Sequence, residues 1–210
     1  ASECPDFFQM PIENEPGKTA WVWTSANAKY LAGTFDGHRF APDHGFTPLQ
    51  NEFGHNFYAA QTYSNAPAGR RIQIAWMRDG QYPGMPFNQQ LSFPTELTLH
   101  ATADGLRLYR RPIPEIQTLH GRAAHLANLN IANGEKDFEN LHGDLLDINA
   151  TIEIATASQT GLRVAGEPIV FDVGKNTLSW LGATARLTPV DGRITLRVLV
   201  DRPTIEIFAN

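Results

Sequence analysis

The chain has 210 residues, of which 42% are hydrophobic and 19% charged, and this length fits one large all-β domain or two smaller ones. Its net charge of −5 argues against a nucleic-acid partner, which would normally meet a basic face. No apolar run comes near the roughly 20 residues that span a bilayer, and the single cysteine excludes an internal disulfide.

Half-buried strands are predicted wherever apolar and polar residues alternate. Tight turns are predicted between them, because Asp-Gly and Asn-Gly pairs tolerate positive φ angles. Short strands with turns at this spacing favour a propeller, a sandwich or a barrel, and no helix longer than three turns is predicted. In chain order, the alternating runs lie at 72–76, 97–99, 106–108, 152–154, 194–200 and 205–207, and the turn pairs at 36–37, 104–105, 133–134 and 191–192.

The two halves of the chain differ in composition, which predicts a boundary between residues 112 and 125. The first half is rich in aromatic residues and prolines, and the second is aliphatic with regular alternation. Between them, Pro112 and Pro114 stiffen the connector and limit strand pairing. The last predicted strand, at 205–207, would be a bare sheet edge if nothing followed it, and a Glu-Cys-Pro motif starts almost at the first residue, so we expect the chain to be cut at both ends.

Glu3 is a candidate general acid/base. It stands before Cys4-Pro5 and near two aromatic residues, Phe7 and Phe8. A carboxyl among apolar neighbours holds its proton more readily, so it can donate that proton near neutral pH. The alternative is an exposed glutamate at a chain terminus, and the triplet alone does not decide between them.

Several short motifs follow Glu3 in a fixed order, and together they resemble glycoside hydrolase family 32. This family comprises the invertases, levanases and inulinases, which release fructose from sucrose or fructans. The segment at 86–97 is most similar to the levanase and inulinase branch. The motifs are Gly-Thr-Phe-Asp-Gly at 33–37, Asn-Phe-Tyr-Ala-Ala-Gln-Thr-Tyr at 56–63, Arg-Ile-Gln-Ile-Ala-Trp-Met at 71–77, Pro-Phe-Asn-Gln-Gln-Leu-Ser-Phe-Pro-Thr-Glu-Leu at 86–97 and Val-Asp-Arg-Pro-Thr-Ile-Glu-Ile-Phe at 200–208.

The resemblance implies an all-β fold, because the family combines a five-bladed β-propeller with a β-sandwich. The last propeller blades are then expected at 1–112, a linker at 113–124 and a sandwich, incomplete at its end, at 125–210. The missing N-terminal blades are expected in the same protein or in a partner fragment.

The resemblance also implies a retaining mechanism with three carboxylates, of which only the acid/base maps onto this chain, as Glu3. The nucleophile belongs to an Asn-Asp-Pro motif and the transition-state stabiliser to an Arg-Asp-Pro motif, and neither occurs in these residues. We therefore expect the parent protein to be a β-fructosidase and the 210-residue chain alone to be inactive. An extracellular or periplasmic location is favoured by the resemblance only.

Four residues are candidate contacts for the fructan or sucrose substrate. Trp76 is similar to the tryptophan that lines the family's fructose pocket, although a core tryptophan would give the same pattern. Tyr58 and Gln61 are three residues apart, which places them on opposite faces of a regular strand. Asn88 lies in a loop that is either a sugar contact or simply solvated. The seven scattered histidines have no metal-ligand spacing, so neither a metal nor a cofactor is predicted.

Two other functions remain open at the level of sequence. One is a non-catalytic carbohydrate-binding or interaction protein with the same architecture. The other is a related five-bladed enzyme acting on arabinose- or xylose-based polymers, which the Glu-Cys-Pro and Phe-Asn-Gln-Gln segments disfavour.

Overall fold

The computed structural model describes residues 3–131, 134–138 and 141–210. Within them the regular structure is almost entirely antiparallel β-sheet, as the alternating patterns predict. The predicted turn at Asn133-Gly134 involves Asn133, which lies outside the described residues. Among the described residues, no helix is both long and apolar enough to cross a membrane.

The first sheet is an antiparallel meander whose strands pair in chain order, with a short additional strand paired to the third. Asp36 forms the predicted turn, because its Oδ1 accepts hydrogen bonds from the backbone N–H groups of His38 (2.8 Å) and Arg39 (2.7 Å). The strands are β1 (Asp6–Pro11), β2 (Thr19–Thr24), β3 (Lys29–Phe35), β4 (Phe40–Pro42) and β5 (Leu49–Gln50).

The second sheet is a four-stranded meander, again paired in chain order. One strand differs from the predicted alternation: Gln73 and Ala75 are buried, whereas Ile72 and Ile74 are half-buried. Alternation identifies the residues that share a face, but burial depends on what covers that face. The strands are β6 (Phe57–Thr62), β7 (Arg71–Met77), β8 (Thr95–Thr102) and β9 (Gly105–Pro112), and a short 3-10 turn, Pro67–Gly69, lies between β6 and β7.

The first two sheets pack against each other through an apolar core. It includes Phe8 and Val22 from the first sheet and Leu97, Leu99 and Leu108 from the second. The backbone N–H of Glu13 also donates to the carbonyl of Leu99 at 2.8 Å, which ties the end of β1 to β8. Consecutive meanders stacked face to face are the arrangement of propeller blades.

The opposite face of the first sheet carries a cluster of aromatic side chains. Phe7 stacks on Trp21 with ring centroids 4.7 Å apart, and Trp23, Phe35 and Phe40 meet Phe7 edge to face. Trp21 and Trp23 therefore share a face, and Trp23 is 42% exposed.

The C-terminal part consists of two antiparallel sheets that enclose a second core, in which Phe171, Ile169, Ile194, Leu196 and Val198 are buried. The predicted turn at Asp191-Gly192 is present, since Val190 pairs with Arg193 across it. One sheet has the order β10 (Leu145–Glu153), β15 (Arg193–Asp201), β16 (Thr204–Ala209), and the other the order β11 (Gln159–Val164), β12 (Glu167–Asp172), β13 (Thr177–Trp180), β14 (Ala183–Arg186).

The connection between the two parts contains a short 3-10 helix, Pro114–Leu119, and no other helix or strand among its described residues. It is fastened to the C-terminal part by His120, whose Nε2 lies 2.8 Å from Oδ2 of Asp147. Arg197 donates to both oxygens of the same carboxylate, at 3.0 and 2.7 Å. The domain limits proposed from the sequence, with a linker at 113–124, stay a prediction.

Candidate functional site

The Glu3 segment is attached along strand β6. The hydroxyl of Tyr58 donates a hydrogen bond to Oε2 of Glu3, and the side-chain amide of Gln61 donates to the carbonyl of Cys4 at 3.1 Å. Asp6 adds a third attachment, because its Oδ2 accepts both the N–H (3.1 Å) and the hydroxyl of Thr62. The residues around Glu3 are thus held in register with one strand of the second sheet.

Glu3 is exposed, which differs from the predicted apolar enclosure. Its carboxylate is oriented by a phenol rather than by hydrophobic neighbours. The backbone carbonyl of Glu3 accepts the N–H of Ala26 at 2.9 Å, which anchors the segment to the first sheet as well. The carboxyl group is therefore accessible to a ligand while its backbone is fixed from two sides.

Tyr58 is itself held by Arg78, the residue that follows strand β7. The guanidinium carbon of Arg78 lies 4.0 Å from the centre of the Tyr58 ring, a cation–π contact. Arg78 is in turn bound to Asn56, whose side chain donates to the Arg78 carbonyl (2.6 Å) and whose carbonyl accepts the Arg78 N–H (2.7 Å). The hydrogen bond to the Glu3 carboxylate raises the pKa of the Tyr58 phenol, so Tyr58 stays protonated and remains a donor.

A β-bulge explains why Tyr58 and Gln61 both reach the Glu3 segment. The sequence spacing predicted opposite faces, and that prediction is wrong here. The β6–β7 register shifts between Tyr58 and Gln61, and Ala59 has a left-handed φ of 48°. The extra residue resets the alternation of side chains along the strand. Both side chains consequently contact consecutive residues, Glu3 and Cys4.

Trp76 lies on β7 directly opposite Tyr58. Residues that face each other across an antiparallel pair project to the same side of the sheet. Trp76 is half-buried, and its indole N–H donates to the side-chain oxygen of Gln89, which fixes the edge of the ring. An indole on the same side of the sheet as a phenol that holds a carboxylate is a surface that suits a sugar, whose C–H side is apolar and whose hydroxyls are polar.

Asn88 is exposed and stands one residue before Gln89. Among the described residues, no hydrogen bond joins it to Glu3, Tyr58, Gln61 or Trp76. Beside it lies a cleft of about 380 Å³ between the 87–94 segment and the C-terminal part, lined among others by Phe87, Gln89, Leu91, Asp201 and Arg202. The described residues contain no group of three or more His, Cys, Asp or Glu side chains placed to hold a metal ion.

The structure joins Tyr58 to Glu3 by a hydrogen bond, Gln61 to the neighbouring Cys4, and Trp76 to Tyr58 by strand pairing, and it leaves Asn88 apart. Sequence reasoning did not single out Asp6 or Arg78. Their partners, Thr62 and Tyr58, are distant in sequence, so only knowledge of the strand pairing would have identified them. Asp6 did lie within the Glu-Cys-Pro-Asp stretch, which was the one local signal available.

Two family models match the chain. The model described as "Glycosyl hydrolases family 32 N-terminal domain" matches residues 1–112, and the one described as "Glycosyl hydrolases family 32 C terminal" matches residues 115–210. Together they cover both parts of the fold.

Curated relatives and a solved structure agree with these matches. A levanase of Bacillus subtilis (strain 168) is 29% identical over 99% of this chain and 37% of its own length. A levanase of Bacillus sp. (strain L7) is 31% identical over 99% of this chain and 27% of its own length. The crystal structure of exo-inulinase from Aspergillus awamori superposes with a TM-score of 0.78 at 20% identity, over 99% of this chain and 49% of that chain.

The chain therefore spans about a quarter to a half of the length of these relatives. At 20% identity the superposition is evidence for the fold alone. It confirms the predicted fold class, propeller blades followed by a β-sandwich.

Proposed function

Because the chain belongs to glycosyl hydrolase family 32, we propose that the protein carrying it is a retaining β-fructosidase that hydrolyses fructosyl bonds of levan, inulin or sucrose. The observation that carries the proposal is the contact of Glu3 with Tyr58, which orients an exposed carboxyl group next to the Trp76 strand. The levanases and the exo-inulinase among the relatives support fructans as the substrate class.

In the first step Glu3 acts as general acid. Its proton passes to the glycosidic oxygen as the bond from that oxygen to the fructosyl carbon breaks, and the alcohol leaves. The fructosyl group is taken up by a carboxylate nucleophile, which forms an ester. In the second step ionised Glu3 removes a proton from water, the water oxygen attacks the fructosyl carbon, and the ester carboxylate leaves.

The Tyr58 hydrogen bond uses Oε2 of Glu3, so we assign the transferred proton to Oε1. A phenol donor on the other oxygen fixes the rotation of the carboxyl group, and orientation of this kind is a large part of general acid catalysis. Trp76 is proposed to pack against the fructosyl ring, with Gln61 and Asn88 as further polar contacts.

The 210 residues contain neither an Asn-Asp-Pro nor an Arg-Asp-Pro motif. We therefore propose that the nucleophile and the third carboxylate lie in a part of the protein outside these residues. On this proposal the 210-residue chain does not hydrolyse fructans alone, since a retaining glycosidase needs a nucleophile about 5–5.5 Å from its acid.

The proposal is tested with the protein in its longest natural form, on a panel of levan, inulin, sucrose, arabinan and xylan. Release of fructose from at least one of the first three is the expected result, and Glu3→Gln should abolish most of it. Glu13→Gln, an exposed glutamate just after β1, is the matched control and should keep wild-type turnover. Binding of fructan without any turnover would instead favour a carbohydrate-binding protein, and activity on arabinan or xylan alone would contradict the substrate assignment.

A further inference from the structure

The segment 89–93 lies between the second sheet and the C-terminal sandwich. On the side of the sheet it pairs with β7: the N–H of Met77 donates to the carbonyl of Gln90 at 2.9 Å, and the N–H of Ser92 donates to the carbonyl of Ala75 at 2.8 Å. Both bonds flank Trp76. The segment is therefore an irregular extension of the sheet at the level of the candidate sugar contact.

On its other side the same segment is bound by the sandwich. The side-chain amide of Gln90 donates to Oδ2 of Asp201 (3.3 Å) and to the hydroxyl of Thr204 (3.1 Å). The backbone N–H of Phe93 donates to Oε1 of Glu206 at 2.6 Å.

Two charged residues of the propeller part act electrostatically on Glu206. Arg110 attracts its carboxylate and Glu52 repels it. Arg110 is ion-paired with Glu52, its side chain is only 5% exposed, and its guanidinium carbon lies 4.1 Å from the centre of the Phe57 ring. Phe57 immediately precedes Tyr58. The sandwich therefore binds the 89–93 segment, which pairs with β7, and Glu206 also feels the charge of Arg110, whose guanidinium lies over Phe57 of β6.

We infer that Glu206 is a positioning residue for the sugar site, because it holds the 89–93 segment in the register that places Gln89 on the indole N–H of Trp76. The sandwich then sets the orientation of the Trp76 ring. Asp201 and Thr204 support the same register through Gln90. The consequence for substrate binding rests on the proposed function, whereas the orientation of Trp76 does not.

Two measurements test the inference. In the protein labelled with ¹⁵N at its tryptophan indoles, the Trp76 signal is identified by its loss in Trp76→Phe. We expect Glu206→Ala to shift this signal and speed its exchange with solvent, since the bond to Gln89 is loosened. Glu206→Gln keeps an oxygen acceptor for the Phe93 N–H, so it should retain the wild-type signal. With fructan as substrate, Glu206→Ala should raise KM roughly fivefold with a smaller change in kcat.

The matched control is Glu153→Ala, which removes a glutamate on the exposed surface of β10 in the same sandwich. Should Glu206→Ala fail to fold, Thr204→Val removes one partner of Gln90 with little change of shape and should give a smaller shift of the same indole signal. An unchanged Trp76 signal in a folded variant, or an equal shift in Glu206→Gln, would overturn the inference. A shifted signal with unchanged KM would overturn its substrate-binding part. If the wild-type protein released no fructose at all, the proposed function would fail and the indole measurement would still decide the role of Glu206.

Discussion

At the scale of single residues, Tyr58 is the group that couples the Glu3 carboxylate to the sheet. It donates to Glu3 with its hydroxyl and receives the Arg78 guanidinium on its ring. Its raised pKa keeps the hydroxyl protonated. Because hydrogen bonds to a charged group are stronger than neutral ones, this bond is well suited to fix a catalytic carboxyl group.

Removing that bond should slow catalysis more than it weakens binding. Tyr58→Phe keeps the ring under Arg78 and deletes only the hydroxyl, so we expect kcat on fructan to fall about 10- to 100-fold, which corresponds to about 1.5–3 kcal/mol for a bond to a charged group. Steady-state kinetics on the full protein measure this. Tyr63→Phe, at an exposed tyrosine one residue past β6, serves as the control. Wild-type kcat in Tyr58→Phe would remove Tyr58 from the mechanism.

The sequence singled out candidate residues but did not indicate their surroundings. Glu3 and Trp76 stood out because short motifs surround them. The exposure of Glu3 and the contacts of Asp6 and Arg78 could not be predicted, because they arise from hydrogen bonds and ring contacts between residues more than 19 positions apart, which no local pattern reports.

At the scale of elements, the first sheet depends on a glycine in β3. A Cβ at Gly33 would lie 2.1 Å from the carbonyl oxygen of Ala41 and 2.7 Å from Cα of Pro42, both backbone atoms of the adjacent strand. Backbone atoms cannot move aside as a flexible side chain would. The close approach of β3 and β4 therefore requires a residue without a side chain at this position.

Gly33→Ala should separate β4 from β3 and destabilise the protein by about 1–3 kcal/mol. Chemical denaturation followed by tryptophan fluorescence would measure the loss. Gly121→Ala adds the same methyl group where no atom lies within 4 Å, so its free energy of unfolding should match the wild type. Equal stability of both variants would mean that β4 is not held as described.

Strands and hairpin turns followed from the sequence because alternation and Asp-Gly pairs are local signals. The bulge in β6 did not, since its left-handed residue is Ala59 rather than a glycine or asparagine that would have marked it. Because no glycine or asparagine marked the bulge, Tyr58 and Gln61 were predicted on opposite faces of the strand, whereas both contact the Glu3 segment.

At the scale of the whole molecule, the interface between propeller and sandwich contains the carboxyl group of Glu206. Burial raises its pKa from the ordinary 4.5 to about 7, and the hydrogen bond from the Phe93 N–H and the attraction of Arg110 only partly offset this. The folded protein therefore binds the Glu206 proton more tightly than the unfolded chain does. This contribution to stability is complete below about pH 4.5 and is lost as pH rises through about 7.

We expect the wild-type protein to lose about 1–3 kcal/mol of stability from this group between about pH 5 and about pH 8. The glutamine side chain in Glu206→Gln does not titrate between these pH values, so the stability of this variant should change less over the same range. Denaturant titrations of both proteins at the two pH values give the comparison, and Glu153→Gln supplies an exposed glutamate as control. Parallel pH dependence in wild type and Glu206→Gln would exclude Glu206 as the source.

The general architecture was predictable from ordered motifs and alternation, whereas the contact between its two parts was not. Gln90, Asp201 and Glu206 each belong to a predicted motif, yet nothing in the chain indicates that residues more than 100 positions apart meet at one interface. Such contacts depend on how the sheets are placed in space.

The most direct test of Glu3 as the acid/base is to measure how the activity lost in Glu3→Gln depends on the leaving group of the substrate. A fructan needs protonation of the departing oxygen, but a nitrophenol leaves without it. We predict that Glu3→Gln lowers kcat/KM on levan or inulin at least about 100-fold and lowers kcat/KM on nitrophenyl fructoside less than about tenfold, because kcat/KM reports the first step and not the ester hydrolysis that follows. Equal losses on both substrates, or no loss on either, would contradict the assignment of Glu3 as the acid/base.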